Sequence, residues 1–297
     1  MIRVTELTKT FEDFTALNKL NLCVNKGSVY GLVGVNGSGK TTIIKHLAGI
    51  YSQDGGEVTI DGQKVFDNVD IKKRVGYIPD DLYFFPSYTI NALARFYSKI
   101  YKTWNKDRFD SLLKGFNLDG GRKLNKLSKG MQKQVMFAYV MAVTPDILIL
   151  DEPLDGLDPI VRRQVISIMM EDVAAREMTV LVSSHNLKEM DGICDSVGIM
   201  KNGRMIIERS LDDLKTDVHK VQIAFPVDDT DISEKLQNLI ILRKEKVGSM
   251  YLMVIRGKES DVIQHLQALN PMVMDILPLT LEEVFMYETE QSKEVPL

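Results

Sequence analysis

The sequence lacks the features of several large classes of protein. Its 297 residues include two cysteines, Cys23 and Cys194, which form no spaced motif. Neither a disulfide framework nor a cysteine metal site is expected, and the low cysteine content fits a protein that works in a reducing compartment. The net charge of −4 argues against a protein that coats nucleic acid. A hydrophobic content of 44% with 26% charged residues indicates a packed core rather than disorder.

Long apolar runs are also missing. The longest, residues 135–143, ends at Thr144, Pro145 and Asp146. No segment approaches the roughly 20 apolar residues that a membrane-spanning helix needs. The stretch MIRVTELTKTFEDF has no long apolar core, so no signal peptide is expected. If the protein works at a membrane, we expect another chain to supply the membrane-spanning segments.

The most informative stretch that is present is glycine-rich and reads GVNGSGKTT, residues 34–42. It lies between an apolar run typical of a strand and apolar residues at helical spacing, which is the context of a phosphate-binding loop. Glycines allow the backbone to approach a ligand closely, and the start of the following helix attracts anions. Lys40 offers a positive charge to the β- and γ-phosphates, and the Thr41 hydroxyl is a suitable ligand for Mg²⁺. The predicted nucleotide-binding residues are Gly34, Asn36, Gly37, Ser38, Gly39, Lys40, Thr41 and Thr42.

Apolar patterning predicts an α/β protein around this loop. Strands and hairpins are expected at residues 2–7, 20–24, 57–65, 75–78, 147–150, 179–183 and 196–208, and helices at 89–143, 159–176 and 186–194. Beyond about residue 211, strands are expected at 220–225, 240–246, 251–256 and 273–277, with helices at 232–236, 261–269 and 281–288. That order, β-α-β-β-α-β plus a helix, predicts a small α+β appendage of ferredoxin-like type.

Two acidic residues, Asp151 and Glu152, follow the wholly apolar run Ile147–Leu150. An open α/β sheet binds its ligand at the carboxyl ends of its strands. We therefore expect Asp151 to hold Mg²⁺, directly or through water, and Glu152 to polarise a water molecule that attacks the γ-phosphate. An isolated acidic pair would more simply cap a strand end in solvent, but the nearby phosphate loop favours the catalytic interpretation.

Four further residues have both a structural and a functional interpretation. Ser128, in LSKGMQ, and Asp158, before Pro159, are typical helix N-caps, and a capped helix start also attracts phosphate. His185 follows an apolar strand and would face the ligand edge, although a lone histidine there is usually structural. Phe11 by itself is more often a core residue than a platform on which a base stacks.

Taken together, the motifs resemble the nucleotide-binding subunit of an ATP-binding cassette (ABC) transporter. They are Phe11, GVNGSGKTT, LSKGMQ, ILILDEP, DGLD and SSH, in the family's order, and the resemblance covers residues 2–210. It implies an α/β P-loop NTPase of ABC type at 1–210, with an antiparallel β subdomain and a helical subdomain at about 87–143. Residues 211–297 would form a C-terminal accessory domain. LTLEEVF and the LSKGM variant are most similar to bacterial exporters of the bacitracin-resistance type and related multidrug exporters.

The resemblance also implies roles for the ambiguous residues, with ATP and Mg²⁺ as cofactors. Two subunits would sandwich two ATP molecules head to tail. Ser128 and Gly130 of one chain would contact the γ-phosphate held by the other. Phe11 would stack on adenine, His185 would hold the γ-phosphate, and Asp158 would communicate between the two sites. Glu152 would act as the general base.

The sequence departs from the family pattern at three places. Asp80 stands where many members have glutamine, and we place it among the catalytic and metal-ligating candidates, with Asp81 as the alternative. Within the LSKGMQ motif, Lys129 and Met131 stand where the family pattern has a glycine and a glutamine. Neither change removes Ser128 or Gly130. Three aromatic residues, 83–85, border the region that receives a short helix from the membrane subunit in the family, or else form a locally buried cluster.

The predicted function is an ATP-hydrolysing subunit that energises a separate transmembrane permease at the cytoplasmic face of a bacterial membrane. Its second partner would be another nucleotide-binding subunit, identical or different, and no nucleic acid is expected. The alternative is a soluble ABC-type ATPase that acts on ribosomes or DNA. One cassette, no sustained heptads and no basic stretch argue against it. Glu152 argues against a hydrolytically dead partner, and the lack of an N-K-x-D motif argues against a GTPase.

Overall fold

The strand before the glycine-rich loop lies in the middle of the principal sheet. The computed structural model describes residues 1–211, 213, 218–225, 236–237, 239–280 and 282–283. These residues fall into two units, Met1–Glu208 and Arg209–Leu297. No α-helix among them combines the length and the apolar character that crossing a membrane requires.

The elements of the first unit are named in chain order, and its last strand runs two residues past Glu208. Its strands are β1 (Ile2–Phe11), β2 (Phe14–Val24), β3 (Val29–Gly34), β4 (Gly55–Ile60), β5 (Gln63–Lys64), β6 (Val75–Ile78), β7 (Ile147–Leu150), β8 (Thr179–Ser184), β9 (Ser196–Lys201) and β10 (Arg204–Ser210). Its helices are α1 (Lys40–Leu47), α2 (Val69–Arg74), α3 (Ile90–Ile100), α4 (Lys106–Gly115), α5 (Lys129–Ala142) and α6 (Pro159–Arg176).

A six-stranded sheet in the order β10-β9-β3-β8-β7-β6 forms the centre of this unit. The strand β3 pairs in parallel with β8 and β9, and β7 pairs in parallel with β6 and β8. Every residue of β3, β7 and β8 is buried, as expected for parallel strands covered on both faces. Their carboxyl ends meet at one edge, where the glycine-rich loop, Asp151 and His185 follow.

A second, antiparallel sheet has the order β2-β1-β4-β5 and packs with α1 and the principal sheet in one core. The strands β1 and β2 extend further than the sequence pattern predicts, to the turn between Phe11 and Phe14. Glu6 and Lys19 have positive φ angles of 51° and 48° and lie where the pairing register shifts. These bulges break the alternation of apolar and polar residues on which the prediction depended.

The predicted helical insert consists of α3, α4 and α5. Tyr139 on α5 joins them, because its hydroxyl donates to the Ile90 carbonyl at 2.7 Å and its ring stacks on Phe109 and Tyr97 at 5.2 and 5.1 Å. Stacked aromatic rings of this kind add to the energy of burial. The helix that begins at the LSKGMQ motif is therefore the packing centre of this region.

One predicted helix of the first unit is wrong. Residues 186–194 form only a 3₁₀ turn at Leu187–Glu189, followed by irregular turns. Gly192 has φ +79°, a left-handed conformation that an α-helix does not accommodate.

The second unit contains a four-stranded antiparallel sheet. Its elements are β11 (Val218–Ala224), β12 (Ile240–Val247), β13 (Met250–Arg256), α7 (Glu259–Gln267) and β14 (Val273–Leu277), and the strand order is β12-β13-β11-β14. Val262 and Leu266 of α7 pack against Ile223, Met253 and Ile255 on one face of the sheet. The helices predicted at 232–236 and 281–288 fall almost wholly outside the described residues.

Candidate active site

The glycine-rich loop has the geometry of an anion site. Gly37 and Gly39 take left-handed φ angles of 81° and 105°, so the loop turns sharply into α1. Gly39 is the N-cap of α1 and has no side chain that could satisfy the N–H groups of the first turn. No acidic residue lies in that turn. The exposed N–H donors and the positive end of the helix dipole therefore remain available to a phosphate group.

The loop is fixed from behind by the turn between β9 and β10. The N–H of Gly203 donates to the Ser38 carbonyl at 3.0 Å, and the Gly203 carbonyl accepts from the N–H of Asn18 at 2.9 Å. A Cβ atom at Gly34 would lie 2.6 Å from the Met200 carbonyl oxygen, so only glycine fits there. Gly203 was not among the predicted site residues, because a hairpin turn so distant in sequence gives no sign of this contact.

Lys40 is buried, with 6% of its side chain exposed, between the loop and the end of β7. Its Nζ donates to the Gly34 carbonyl at 2.6 Å and lies 3.2 Å from Oε1 of Glu152. The predicted phosphate-binding lysine and the predicted general base are thus in direct contact. A buried ammonium without an anionic partner is strongly destabilising. The Lys40 ammonium therefore needs a negatively charged group beside it.

Asp151 has the surroundings of a metal ligand. It is 1% exposed, and its Oδ1 accepts a hydrogen bond from the Ser183 hydroxyl at 2.7 Å. Burial raises the pKa of Asp151, while hydrogen bonds from Ser183 and Thr41 oppose that shift. Among the described residues, no basic side chain lies within ion-pair distance of this carboxylate. A buried, cation-free carboxylate beside a threonine hydroxyl fits Mg²⁺, which prefers oxygen ligands.

Every polar group of Glu152 is held in place. Its φ angle is 46°, an unusual left-handed conformation for a residue with a side chain. The N–H donates to Ser183 Oγ at 3.0 Å, and the carbonyl accepts from Lys133 Nζ at 2.8 Å. The carboxylate Oε2 lies 2.9 Å from His185 Nδ1 and accepts the His185 backbone N–H at 3.2 Å. The carboxylate is therefore oriented between a lysine and a histidine.

His185 lies at the end of β8 with nearly half of its side chain exposed. The hydrogen bond and the negative charge of Glu152 raise the pKa of the imidazole above its usual 6.5. The protonated ring is thus favoured at the edge where a phosphate would lie. This placement agrees with the prediction that His185 faces the ligand edge.

Asp80 follows β6 at the same edge of the sheet. About half of its side chain is exposed, and its Oδ1 lies 3.3 Å from Lys133 Nζ. The negative charge of Asp80 contributes to the raised pKa of Asp151. The structure therefore brings Asp80 close to the other predicted residues and pairs it with Lys133, which lies outside the predicted site.

Ser128, Gly130 and Asp158 form a second group, at the starts of α5 and α6. Ser128 Oγ accepts from the N–H of Met131 at 3.3 Å, and Asp158 Oδ1 accepts from the N–H groups of Ile160 and Val161 at 3.0 and 3.1 Å. Both are N-caps, as the structural interpretation predicts. Gly130 lies close to the DGLD turn, since a Cβ atom on it would be 3.4 Å from the Gly156 carbonyl. The side chains of Ser128 and Asp158 bond to their own helices rather than to the phosphate loop.

Exposure excludes a buried placement for Phe11, Tyr83 and Phe85. Phe11 is 39% exposed at the end of β1, with its ring edge-on to Tyr51 at 5.5 Å, so the core interpretation of Phe11 is wrong. Tyr83 and Phe85 are 86% and 55% exposed, so the interpretation as a buried cluster is wrong for both. With Phe84, they line a cavity of about 190 Å³ whose other wall includes Phe96 and Met136.

Comparison with known proteins agrees with this geometry. The family model described as ABC transporter matches residues 17–155. The ABC transporter ATP-binding protein YtrB of Bacillus subtilis (strain 168) is 30% identical over 285 residues, which is 96% of this chain and 97% of that protein. The bacitracin transport ATP-binding protein BcrA of Bacillus licheniformis is 33% identical over 218 residues, 72% of this chain and 71% of that one. A solved structure of the ATP-binding subunit of an ABC transporter superposes with a TM-score of 0.68 at 28% identity, covering 72% of this chain and 92% of that chain.

Proposed function

This chain belongs to the ATP-binding proteins of ABC transporters and carries their ATPase domain, and we propose that it hydrolyses ATP to energise a separate membrane-spanning exporter. The observation that carries the proposal is the convergence of Lys40, Asp151 and Glu152 at one edge of the parallel sheet. A phosphate cradle, a metal-ligating carboxylate and a positioned base are the parts that phosphoryl transfer to water requires.

ATP would bind with its phosphates on the loop N–H groups and on Lys40. The Thr41 hydroxyl and Asp151 would hold Mg²⁺, which neutralises charge on the phosphate oxygens when it is bound. The γ-phosphate competes with Glu152 for the Lys40 ammonium, which frees the Glu152 carboxylate to orient water. The water oxygen then bonds to the γ-phosphorus, the bond to ADP breaks, and Glu152 accepts the water proton. The His185 ring would donate a hydrogen bond to the γ-phosphate.

A second nucleotide-binding subunit would complete each site. The starts of α5 and α6 carry Ser128, Gly130 and Asp158, which would face the ATP of the partner, with Asp158 communicating between sites. The exposed Phe11 ring would stack on adenine. Closure on ATP and opening after hydrolysis would drive the permease, because the partner's contacts to the γ-phosphate would exist only in the closed state.

The permease would dock at the exposed aromatic residues 83–85, which would place this chain at the cytoplasmic face of a bacterial membrane. The similarity to BcrA, a bacitracin transport ATP-binding protein, supports transport as the process that this chain energises. The sheet order of the second unit supports the assignment of a ferredoxin-like accessory domain to residues 211–297. An ATPase that acts on ribosomes or DNA is not favoured by any feature of the site.

The test is purification of tagged Glu152→Gln from gently solubilised native membranes in the presence of ATP. Loss of the base should abolish most turnover while ATP stays bound in a closed dimer. A polytopic membrane protein should co-purify in stoichiometric amount. The control is Glu57→Gln, which removes an exposed carboxylate of β4 and should hydrolyse ATP like the wild type.

Two outcomes would contradict the proposal. Hydrolysis by Glu152→Gln at the wild-type rate would remove Glu152 from the role of base. Recovery of ribosomal or DNA-associated proteins alone would overturn the assignment to a transporter, while the ATPase chemistry could stand.

A further inference from the structure

A lysine outside the recognised motifs connects two parts of the active site. Lys133 lies on α5, and its side chain is only 12% exposed. Its Nζ is 2.8 Å from the carbonyl oxygen of Glu152 and 3.3 Å from Oδ1 of Asp80. One ammonium group therefore joins the loop after β7 to the loop after β6.

The contact with Glu152 falls on a strained residue. A non-glycine residue with φ 46° persists only where its surroundings hold it, and such strain is found at functional sites. Two side chains hold the Glu152 backbone: Ser183 binds the N–H and Lys133 binds the carbonyl. Ser183 lies on the rigid central sheet, whereas Lys133 comes from the helical region. The position of the Glu152 carbonyl is thus tied to the position of α5.

The contact between Lys133 and Asp80 affects the charge balance of the active site. Asp80, Asp151 and Glu152 bring three carboxylates to one edge, and Asp80 and Glu152 both raise the pKa of Asp151. Lys133 is the ion-pair partner of Asp80 in the described part of the chain. An anionic residue at this position, where many family members have a neutral glutamine, is balanced by that ammonium. Without it, a further unpaired negative charge would face the incoming phosphates.

We propose that Lys133 is a positioning residue for ATP hydrolysis, which fixes the Glu152 carbonyl and neutralises Asp80 while it ties both to α5. The inference rests on the proposed role of Glu152 as general base. Lys133 lies five residues after the Ser128 cap, which is about 7.5 Å along a helix at 1.5 Å per residue. The helix start that would meet the partner's ATP is therefore coupled to Glu152 through one short, rigid segment.

The test compares Lys133→Met, Lys133→Arg, Asp80→Asn and the double variant Asp80→Asn/Lys133→Met. Lys133→Met should lower kcat roughly 10- to 100-fold, the scale of a misplaced catalytic group, with KM for ATP changed by less than about two-fold. Lys133→Arg should recover most of kcat, because it restores charge and donors. The double variant should have a kcat about three-fold higher than that of Lys133→Met. The reason is that Asp80→Asn removes the carboxylate that Lys133→Met leaves unpaired. Lys114→Met, which makes the same substitution at an exposed position of α4, is the control.

A readout independent of activity is amide hydrogen exchange at Glu152, Leu154 and Asp155 in the nucleotide-free protein. Exchange should be faster in Lys133→Met and normal in Lys133→Arg and Lys114→Met. A kcat for Lys133→Met within about two-fold of the wild type, or unchanged exchange, would overturn the proposal. If Glu152→Gln retains wild-type hydrolysis, the base assignment fails. If Glu152→Gln is inactive and Lys133→Met is normal, Lys133 alone loses its role.

Discussion

Ser183 offers the sharpest test of how the catalytic carboxylates are positioned. Its hydroxyl donates to Asp151 at 2.7 Å and accepts the N–H of Glu152 at 3.0 Å. Ser183→Ala removes both contacts in a fully buried place. The neighbouring Ser184 has the same pattern with other partners, since its hydroxyl donates to Glu189 at 2.8 Å and accepts the N–H of Asn186 at 2.9 Å. Ser184→Ala is therefore a control matched in chemistry, burial and number of hydrogen bonds.

The expected loss of stability follows from these bonds. A hydrogen bond to a charged group contributes about 1.5–3 kcal/mol, and an unpaired buried N–H costs about 1–3 kcal/mol. The remaining Thr41 contact to Asp151 offsets part of this, so we expect about 3 kcal/mol for Ser183→Ala and a similar value for Ser184→Ala. For a unit of this size, that corresponds to a fall in Tm of roughly 6–12 °C.

The two variants should separate in catalysis. Ser183→Ala frees the Glu152 backbone and should lower kcat at least about 10-fold, whereas Ser184→Ala should stay within about three-fold of the wild type. The hydrogen bond from Ser183 lowers the pKa of Asp151, so its removal raises that pKa further and moves the acid limb of the pH–rate profile to higher pH. Steady-state hydrolysis across pH and thermal melts measure both effects. Equal losses of kcat in the two variants would refute the reasoning, because stability alone would then explain them.

The remaining predictions concern the second group of residues and the histidine. Ser128→Arg should abolish hydrolysis yet leave ATP binding by the isolated chain intact, since Ser128 bonds to its own helix rather than to the phosphate loop; unchanged hydrolysis would mean that it only caps α5. An NMR titration should find the pKa of His185 above 6.5 and closer to that value in Glu152→Gln, and identical values would contradict the contact. Folding raises the pKa of His185. The stabilisation from the His185–Glu152 pair is therefore complete below the pKa of His185 in the unfolded state and is lost as pH rises through its pKa in the folded state.

Some elements could be predicted from sequence because local chemistry determines them. The strand β7 is a wholly apolar run between polar residues, and α6 starts at an aspartate cap with a proline in its first turn. The glycine-rich loop carries its own backbone requirements. Each of these elements was predicted with the observed bounds or within a residue of them.

The rest depended on contacts between distant parts of the chain. The bulges at Glu6 and Lys19 are visible only in the pairing of β1 with its neighbours, so the length of both strands was missed. Ser183 stood in a recognised motif, and a hydroxyl at the end of an apolar strand was an available signal. Lys133 gave no signal, because one lysine on a helix is ordinary until the fold brings Asp80 and Glu152 to its ammonium.

The pairing of β3 has a consequence for the order in which the protein folds. Both neighbours of this strand, β8 and β9, are encoded more than 140 residues later, and the turn that supports Ser38 follows them at Gly203. Although its motif appears early in the chain, the phosphate cradle cannot acquire its shape until nearly all of the first unit has been synthesised. Non-local pairing of this kind slows folding and leaves hydrophobic strands transiently exposed. A nascent chain that has not reached β8 therefore has the nucleotide-binding sequence but not the nucleotide-binding site.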